Sequence, residues 1–237
     1  MPKDRPPAPP PGNRLLARLP VQEVRRLLPG LRAVPLEFGH VLYQPRSPID
    51  HAYFPVEGVV SQVAVMEDGA SIELATIGNE GMIGLPICFG VNSPAARSVV
   101  QVGGRALRMR AAALKEETSR EGPLRRLLLR YGAAFLTQVS QSVACNGLHT
   151  VPRRCCRWLL MTHDRMQSDE FPLTHEFLAQ MLGVQRSSLS EVLRPLQEAG
   201  LLRYRRGRVA IRDRAGLEAA SCECYRAVKE EYDRLLG

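Results

Sequence analysis

Residue types that bind nucleic acid are concentrated between residues 174 and 212. Guanidinium groups bind phosphate and can contact O6 and N7 of guanine together, while hydroxyl and amide groups hydrogen-bond to base edges. Only Glu191 and Glu198 oppose the arginines between residues 183 and 212, so the local field suits a phosphate backbone. The residues expected to contact DNA are Thr174, Gln185, Arg186, Ser187, Ser188, Ser190, Glu191, Arg203, Arg205, Arg206 and Arg208.

The elements that position these residues can be read from hydrophobic periodicity. Thr174 is the expected N-cap of a helix that Gly183 ends, since glycine tolerates positive φ. A second helical run follows and ends at Gly200, leaving residues 185–191 polar on its first turns. The apolar residues at helical spacing are Phe177, Leu178, Met181 and Leu182 in the first run, and Leu189, Val192, Leu193, Leu196 and Ala199 in the second.

A β-hairpin is predicted directly after the second helix. Residues 201–205 and 208–211 alternate apolar with polar side chains, and Arg206-Gly207 supplies a tight turn between them. Two helices, a turn, a hairpin and a basic bias in this order predict a winged helix-turn-helix that binds DNA. The alternative is a small helical domain with a solvated arginine face. A last amphipathic helix is expected over residues 216–236.

Length and charge set the broad class. The chain has 237 residues, enough for two domains, and its net charge of +8 favours an anionic partner. Arginines also occur outside residues 183–212, so global charge alone is weak evidence. We find no apolar run of membrane-spanning length and no apolar signal core, so a cytoplasmic protein is expected.

The segment before residue 120 has a different residue pattern. Six prolines within residues 1–12 predict a disordered tail. Short β-prone runs separated by glycines over residues 31–110 predict an antiparallel β-roll, with a hairpin turn at Glu67-Asp68-Gly69. The expected fold class is α+β, with a tail over 1–12, a β-roll sensor domain over 13–120, a helix over 121–147 and the winged helix-turn-helix over 148–237.

A long helix after Pro123 carries an apolar stripe that could line a dimer seam. Its members recur at alternating spacings of four and three, which is the repeat of a coiled coil. The alternative is a helix that packs on its own β domain through Leu129, Leu136, Val139 and Val143, and periodicity does not choose between these faces. The residues assigned to the seam are Leu124, Leu128, Tyr131, Phe135, Gln138 and Ser142.

Cysteine and histidine spacing gives no recognisable metal motif. Cys155-Cys156 are adjacent and Cys222 and Cys224 are two apart, so neither pair has the gap of common zinc or iron–sulfur ligand sets. We therefore expect structural thiols, no metal and no cofactor. A cupin-type metal enzyme remains an alternative function for a small β-barrel, but it requires clustered histidines that the sequence lacks, and an enzyme is not expected.

The order of a β domain, a long helix and a C-terminal winged helix resembles the Crp/Fnr transcription regulators over nearly the whole chain after residue 12. Residues 53–58 and 67–69 resemble the turns of that family's roll, residues 78–85 its phosphate-binding loop, and residues 183–190 its turn and recognition helix. The resemblance implies a homodimer joined along the helix after Pro123. It also implies that Arg186, Ser187, Ser188 and Glu191 face the major groove.

The ligand site departs from the pattern of cyclic-nucleotide-binding members. Those members have an acid after the loop glycine, which holds the ribose, and an arginine followed by serine or threonine, which holds the cyclic phosphate. Here Arg97-Ser98 matches the second feature, but Leu85 follows Gly84 and accepts no hydrogen bond. An unpartnered ribose hydroxyl would cost about 1–3 kcal/mol. The resemblance therefore implies a site at Gly84, Leu85, Arg97 and Ser98 for a small molecule other than cAMP.

The expected function is a homodimeric, sequence-specific DNA-binding regulator acting on a pseudo-palindromic operator. Its expected partners are double-stranded DNA, a second copy of the chain and RNA polymerase. A receptor that binds cAMP or cGMP through Arg97 and Ser98 is the alternative.

Overall fold

The computed structural model describes residues 12–166 and 168–237. The predicted tail over residues 1–12 lies outside the described residues, apart from Gly12. A 3₁₀ turn at Leu16–Arg18 and helix α1 (Val21–Leu27) precede the first strand. No helix in the described ranges is long and apolar enough to cross a membrane.

Residues 32–110 form an antiparallel sheet, which confirms the predicted β-roll. Within the described residues its strands are β1 (Arg32–Leu36), β2 (Val41–Tyr43), β3 (His51–Val65), β4 (Ser71–Ile77) and β5 (Arg97–Arg110). Strand β5 pairs with β1 and β2 on one side and with β3 on the other, and β4 pairs with β3. Gly69 has φ 85° in the β3–β4 turn, as the turn chemistry predicts.

Three helices follow the sheet. They are α2 (Ala111–Ser119), α3 (Pro123–Leu148) and α4 (Val151–His163). Pro123 opens α3 and Pro152 lies in the first turn of α4, where a missing N–H costs nothing. Helix α4 is almost entirely buried and carries Trp158, one of the largest buried side chains. It therefore forms the centre of the core between the sheet and the C-terminal part.

The structure shows which stripe of α3 packs inward, a choice that periodicity had left open. Of the residues assigned to the dimer seam, five are buried inside their own subunit and Phe135 is half-buried; the buried ones are Leu124, Leu128, Tyr131, Gln138 and Ser142. Of the alternative inward-packing set, Leu129, Leu136 and Val143 are exposed and Val139 is half-buried. Glycines and buried polar contacts with the sheet determine which face of α3 points inward. Both apolar stripes of the helix have the same periodicity, so the sequence alone could not distinguish them.

The C-terminal part is built from short elements. They are β6 (Glu170–Pro172), α5 (His175–Leu182), α6 (Arg186–Glu198), β7 (Leu202–Arg205), β8 (Arg208–Ile211), α7 (Arg214–Ala220) and α8 (Cys224–Leu236). Strand β8 lies between β6 and β7 in a small antiparallel sheet. The single last helix predicted over residues 216–236 is in fact α7 and α8, separated at residues 221–223. Helix α8 packs against α3, where the Tyr232 hydroxyl donates to Gln138 Oε1 at 2.8 Å.

Candidate nucleic-acid interface and ligand site

Helix α5 and the turn after it have the geometry that their sequence predicts. Thr174 is the N-cap, and its Oγ1 accepts a hydrogen bond from the Phe177 N–H at 3.1 Å. Gly183 ends the helix with φ 64°, a conformation that favours glycine. Thr174 is exposed, so its hydroxyl hydrogen is free to donate to an anion.

Helix α6 presents a polar face to solvent. Its apolar side chains point inward and are buried: Leu189, Val192, Leu193 and Leu196. No described side chain caps the N-terminus of α6, so its free backbone donors and the positive end of its dipole face solvent. The exposed residues on its first turns are those expected to contact DNA, namely Gln185, Arg186, Ser187, Ser188, Ser190 and Glu191.

The β7–β8 hairpin forms the wing and carries arginines on one face. Arg206 and Gly207 have φ 50° and 73°, the left-handed pair that a two-residue hairpin turn needs. Leu202, Val209 and Ile211 face the core, so the alternate positions are turned outward. The groove on that outer face is lined by Glu170, Arg203, Arg205, Arg206, Arg208, Ala210 and Arg212.

One carboxylate moderates the charge of the wing. Glu170 of β6 forms an ion pair with Arg208 and partly neutralises its positive charge. Arg203, Arg205 and Arg206 form no ion pair with any residue in the described ranges and are exposed. The wing therefore keeps an outward-facing basic surface next to α6.

A stacked pair links α5 to the wing. The rings of His175 and Tyr204 lie 4.3 Å apart, and the Tyr204 hydroxyl donates to the Leu173 carbonyl at 2.9 Å. Burial, and then the positive charge of Arg186, lower the pKa of His175, so this imidazole is neutral at pH 7. The pair fixes the wing against α5 and adds no charge of its own.

Helix α5, rather than α6, holds this unit against the β-roll. Gln180 Nε2 donates to Ser71 Oγ at 2.7 Å, and the rings of Phe177 and Phe38 lie 6.0 Å apart. A Cβ on Gly183 would lie 2.9 Å from Ile72 Cδ1. These contacts leave the outer face of α6 unobstructed.

The ligand-site residues lie along β5 and the loop before it. Ser98 is fully buried, and its Oγ has no hydrogen-bond partner among the described residues. Arg97 is half-buried and donates from Nε to Gln44 Oε1 at 3.2 Å. Leu85 is buried and lies near α3, since a Cβ on Gly132 would be 3.9 Å from Leu85 Cδ1. Ser98 thus offers a buried hydroxyl and Arg97, its neighbour on β5, a half-buried guanidinium, while Leu85 supplies no acid.

The loop at residues 78–85 is joined to α3 and to the segment after α4. The Tyr131 hydroxyl donates to the Met82 carbonyl at 3.2 Å, and Glu80 forms an ion pair with Arg165 at 2.8 Å. Gly84 has φ 104°, and a Cβ there would lie 2.8 Å from the Tyr43 hydroxyl oxygen. This close packing explains why glycine occupies that position.

Side chains that could hold a metal converge elsewhere. Among the described residues they are Cys145, His149, Cys222 and Cys224, at the far end of α3. A cupin-type enzyme would need its ligands inside the sheet, and no such cluster occurs there in the part of the chain that the structure describes.

Comparison with known families agrees with this architecture. The model of the cyclic nucleotide-binding domain matches residues 33–121, and that of the Crp-like helix-turn-helix domain matches residues 153–220. Together the two matches cover more than half of the chain, in the order that the fold shows. The chain belongs to the Crp/Fnr family. It is a transcription regulator of that family, with a helix-turn-helix of the DNA-binding kind.

Individual members of the family are distant from this chain. A "CRP-like cAMP-activated global transcriptional regulator" of Mycobacterium tuberculosis is 26% identical over 190 residues, covering 76% of this chain and 84% of that protein. FixK2 of Bradyrhizobium japonicum has a TM-score of 0.70 at 17% identity, covering 81% of this chain and 98% of the other. A Crp/Fnr regulator of Eubacterium rectale has a TM-score of 0.67 at 18% identity, covering 87% and 96%. These structures share the fold.

Two arginines of the basic segment were not among the residues expected to contact DNA. Arg212 lines the wing groove, and Arg194 is exposed in the second half of α6, with its Nε 3.6 Å from Glu198 Oε1. Strand β6, which brings Glu170 to Arg208, is too short to leave a periodic signal. The basic composition of residues 183–212 includes both arginines but does not assign a contact to either.

Proposed function

We propose that this Crp/Fnr regulator binds a pseudo-palindromic DNA site as a homodimer. The observation that carries the proposal is the outward polar face of α6 beside the unpaired arginines of the wing. A helix of this width fits the major groove, and guanidinium groups on the adjacent hairpin suit phosphate. Because its proposed target is DNA, we propose that the protein acts in the cytoplasm.

The proposed contacts divide into two groups. Arg186 is proposed to bind guanine, with the amide, hydroxyl and carboxylate groups at residues 185, 187, 188, 190 and 191 meeting neighbouring base edges. Thr174 and the arginines at 203, 205, 206 and 208 are proposed to bind phosphates, which fixes register without reading sequence. A homodimer would place two such units about 34 Å apart, one helical turn of DNA.

The proposed dimer uses the exposed face of α3. Residues recur along it at spacings of four and three, and all of them are exposed: Leu129, Ala133, Leu136, Ser140, Val143 and Gly147. Leucine and valine alternate with small residues, so two copies of α3 could approach closely with their apolar side chains interlocked. This stripe replaces the buried one as the proposed seam.

Selection of bound sequences from random duplexes, followed by footprinting, tests the proposal. We expect two inverted half-sites one helical turn apart, and an affinity that falls steeply as salt rises. Recovery of a single unpaired half-site, or binding with no preference among sequences, would contradict it.

A small molecule other than cAMP is the proposed effector. Ser98 offers a buried hydroxyl with no partner in the described residues, and Arg97 offers a charge, so an anionic group is expected. The alternative effectors, cAMP and cGMP, are favoured by the same two residues. Calorimetry with each nucleotide separates these ideas, because micromolar binding of either would show that Leu85 does not prevent it.

RNA polymerase is the proposed protein partner. Reconstituted transcription from a promoter carrying the selected site tests it. Unchanged transcript levels at saturating occupancy would argue against a functional contact.

A further inference from the structure

Four sulfur and nitrogen ligands meet where α3 ends and α8 begins. Cys145 and His149 are four residues apart and thus share one face at the end of α3. Cys222 and Cys224 flank Glu223 at the start of α8. One ligand atom from each of the four residues lies within 4.8 Å of every other.

The spacing fits a single metal ion. Cys145 Sγ lies 3.5 Å from Cys222 Sγ, and Cys224 Sγ lies 3.5 Å from His149 Nδ1. Tetrahedral zinc, with Zn–S bonds of about 2.3 Å, holds its ligand atoms about 3.7 Å apart. Ligands of a multi-iron cluster bind separate iron atoms and lie further apart, so this group suits one ion.

We propose that Cys145, His149, Cys222 and Cys224 form a closed tetrahedral site for one zinc ion. Three cysteines and one histidine are a ligand set of structural zinc sites. Cys145 and Cys224 are fully buried and Cys222 nearly so, which leaves no open position for a substrate. The role is therefore structural.

A second layer of contacts orients the ligands. Glu223 Oε1 lies 3.2 Å from His149 Nε2, so the imidazole can donate to that carboxylate and turn Nδ1 toward the ion. Gln141 Nε2 donates to Cys224 Sγ at 3.1 Å. Metal-ligating histidines commonly donate their other ring N–H to a carboxylate in this way.

The charge around the cluster also suits bound thiolates. A divalent ion with three thiolates and a neutral imidazole carries one net negative charge. Arg154 and Arg157 of α4 are buried, and Arg157 Nη1 donates to Ser142 Oγ at 3.4 Å, about one turn of α3 before Cys145. The two guanidiniums can therefore offset that charge without water.

The site would fasten α8 to the end of α3. Helices α3 and α8 already pack against each other. The proposed site lies where α3 ends and the chain continues into the DNA-binding part. Because a zinc site is not preformed in the unfolded chain, zinc binding adds to folding stability.

Metal analysis of the full-length, untagged protein, purified under reducing conditions without chelator, tests the proposal. We expect one zinc per chain, and clear loss of zinc in Cys145→Ser and Cys222→Ser. Cys88→Ser, which changes a half-buried cysteine outside the cluster, should keep the metal. Zinc-free protein in which Cys145, Cys222 and Cys224 are free thiols, or in which a Cys145–Cys222 disulfide takes the place of the metal, would overturn the proposal.

A milder variant tests whether loss of zinc in the cysteine variants reflects misfolding. Glu223→Gln keeps all four ligands and should weaken zinc affinity by about 10–100-fold. Cobalt added to metal-free protein should give the ligand-field and thiolate charge-transfer bands of a tetrahedral site, and zinc should abolish them. Absence of these bands in folded wild-type protein would also overturn the proposal.

Discussion

Arg165 donates from Nε to Glu80 Oε1 at 2.8 Å, and both side chains are largely buried. Arg165 also donates to the Thr76 carbonyl at 3.3 Å, an oxygen that Gln138 Nε2 reaches at 2.9 Å. The pair thus joins the loop at residues 78–85 and strand β4 to α3 and to the segment after α4.

Replacing Glu80 with glutamine should destabilise the protein strongly. Removal of one partner leaves the buried Arg165 charge without compensation, at a cost of about 3–5 kcal/mol. Urea unfolding followed by circular dichroism measures the effect. Glu57→Gln breaks an exposed pair with Arg105 and should change stability little, so equal effects of the two variants would show that burial is not the cause.

Arg186→Ala should remove base preference at one position of each half-site. A bidentate contact to guanine is worth about 1–3 kcal/mol of discrimination. Arg205→Ala, on the wing, should instead weaken binding to all sequences alike and reduce the salt dependence by about one ion. Anisotropy titrations with matched and mutated duplexes distinguish them. Full base preference in the Arg186 variant would remove this residue from the reading face.

Leu136→Glu should abolish dimerisation while each chain stays folded. Leu136 is 66% exposed on α3, so an acid there costs the single chain little but would place two carboxylates in the seam. Sedimentation equilibrium measures the mass. The matched control is Val21→Glu, which alters an apolar residue that is 61% exposed on α1. A dimeric Leu136 variant, or a monomeric wild type, would exclude this face.

Glu73 should make stability fall as pH rises toward neutrality. Burial raises the pKa of Glu73 from 4.5 to about 7, although the Ser61 hydroxyl and the charges of Arg157 and Arg165 hold it lower than burial alone would. Between these two values the unfolded chain loses the proton and the folded chain keeps it, so the protein loses about 3 kcal/mol by pH 7.

Urea unfolding of the wild type and of Glu73→Gln at several pH values checks this expectation. The free energy of unfolding of the wild type should fall relative to that of the variant between about pH 4.5 and about pH 7. Above that range the difference between the two free energies should stay constant. A constant difference across the range would mean that Glu73 titrates normally.

Local signals made the C-terminal elements predictable. Thr174, Gly183 and the Arg206-Gly207 turn each have a conformational requirement that can be read within a few residues, and the structure places them as predicted. The β-roll was predictable for the same reason, because glycines mark its corners.

Contacts between distant segments were not predictable in this way. The inward face of α3 depends on Thr76 accepting from Gln138 and on Met82 accepting from Tyr131, and neither partner leaves a trace in the helix's own periodicity. Cys145 and Cys222 are 77 residues apart in sequence. Spacing rules that search for nearby ligand pairs therefore missed the cluster.

The bond between Gln180 and Ser71 has a mechanical consequence. Helix α5 contacts the β3–β4 hairpin through this bond, and α6 follows α5 directly in the chain. A small displacement of the hairpin would therefore change the orientation of α6. In the proposed dimer, the orientation of each α6 would then be set within its own chain, and the partner would set only the distance between the two helices.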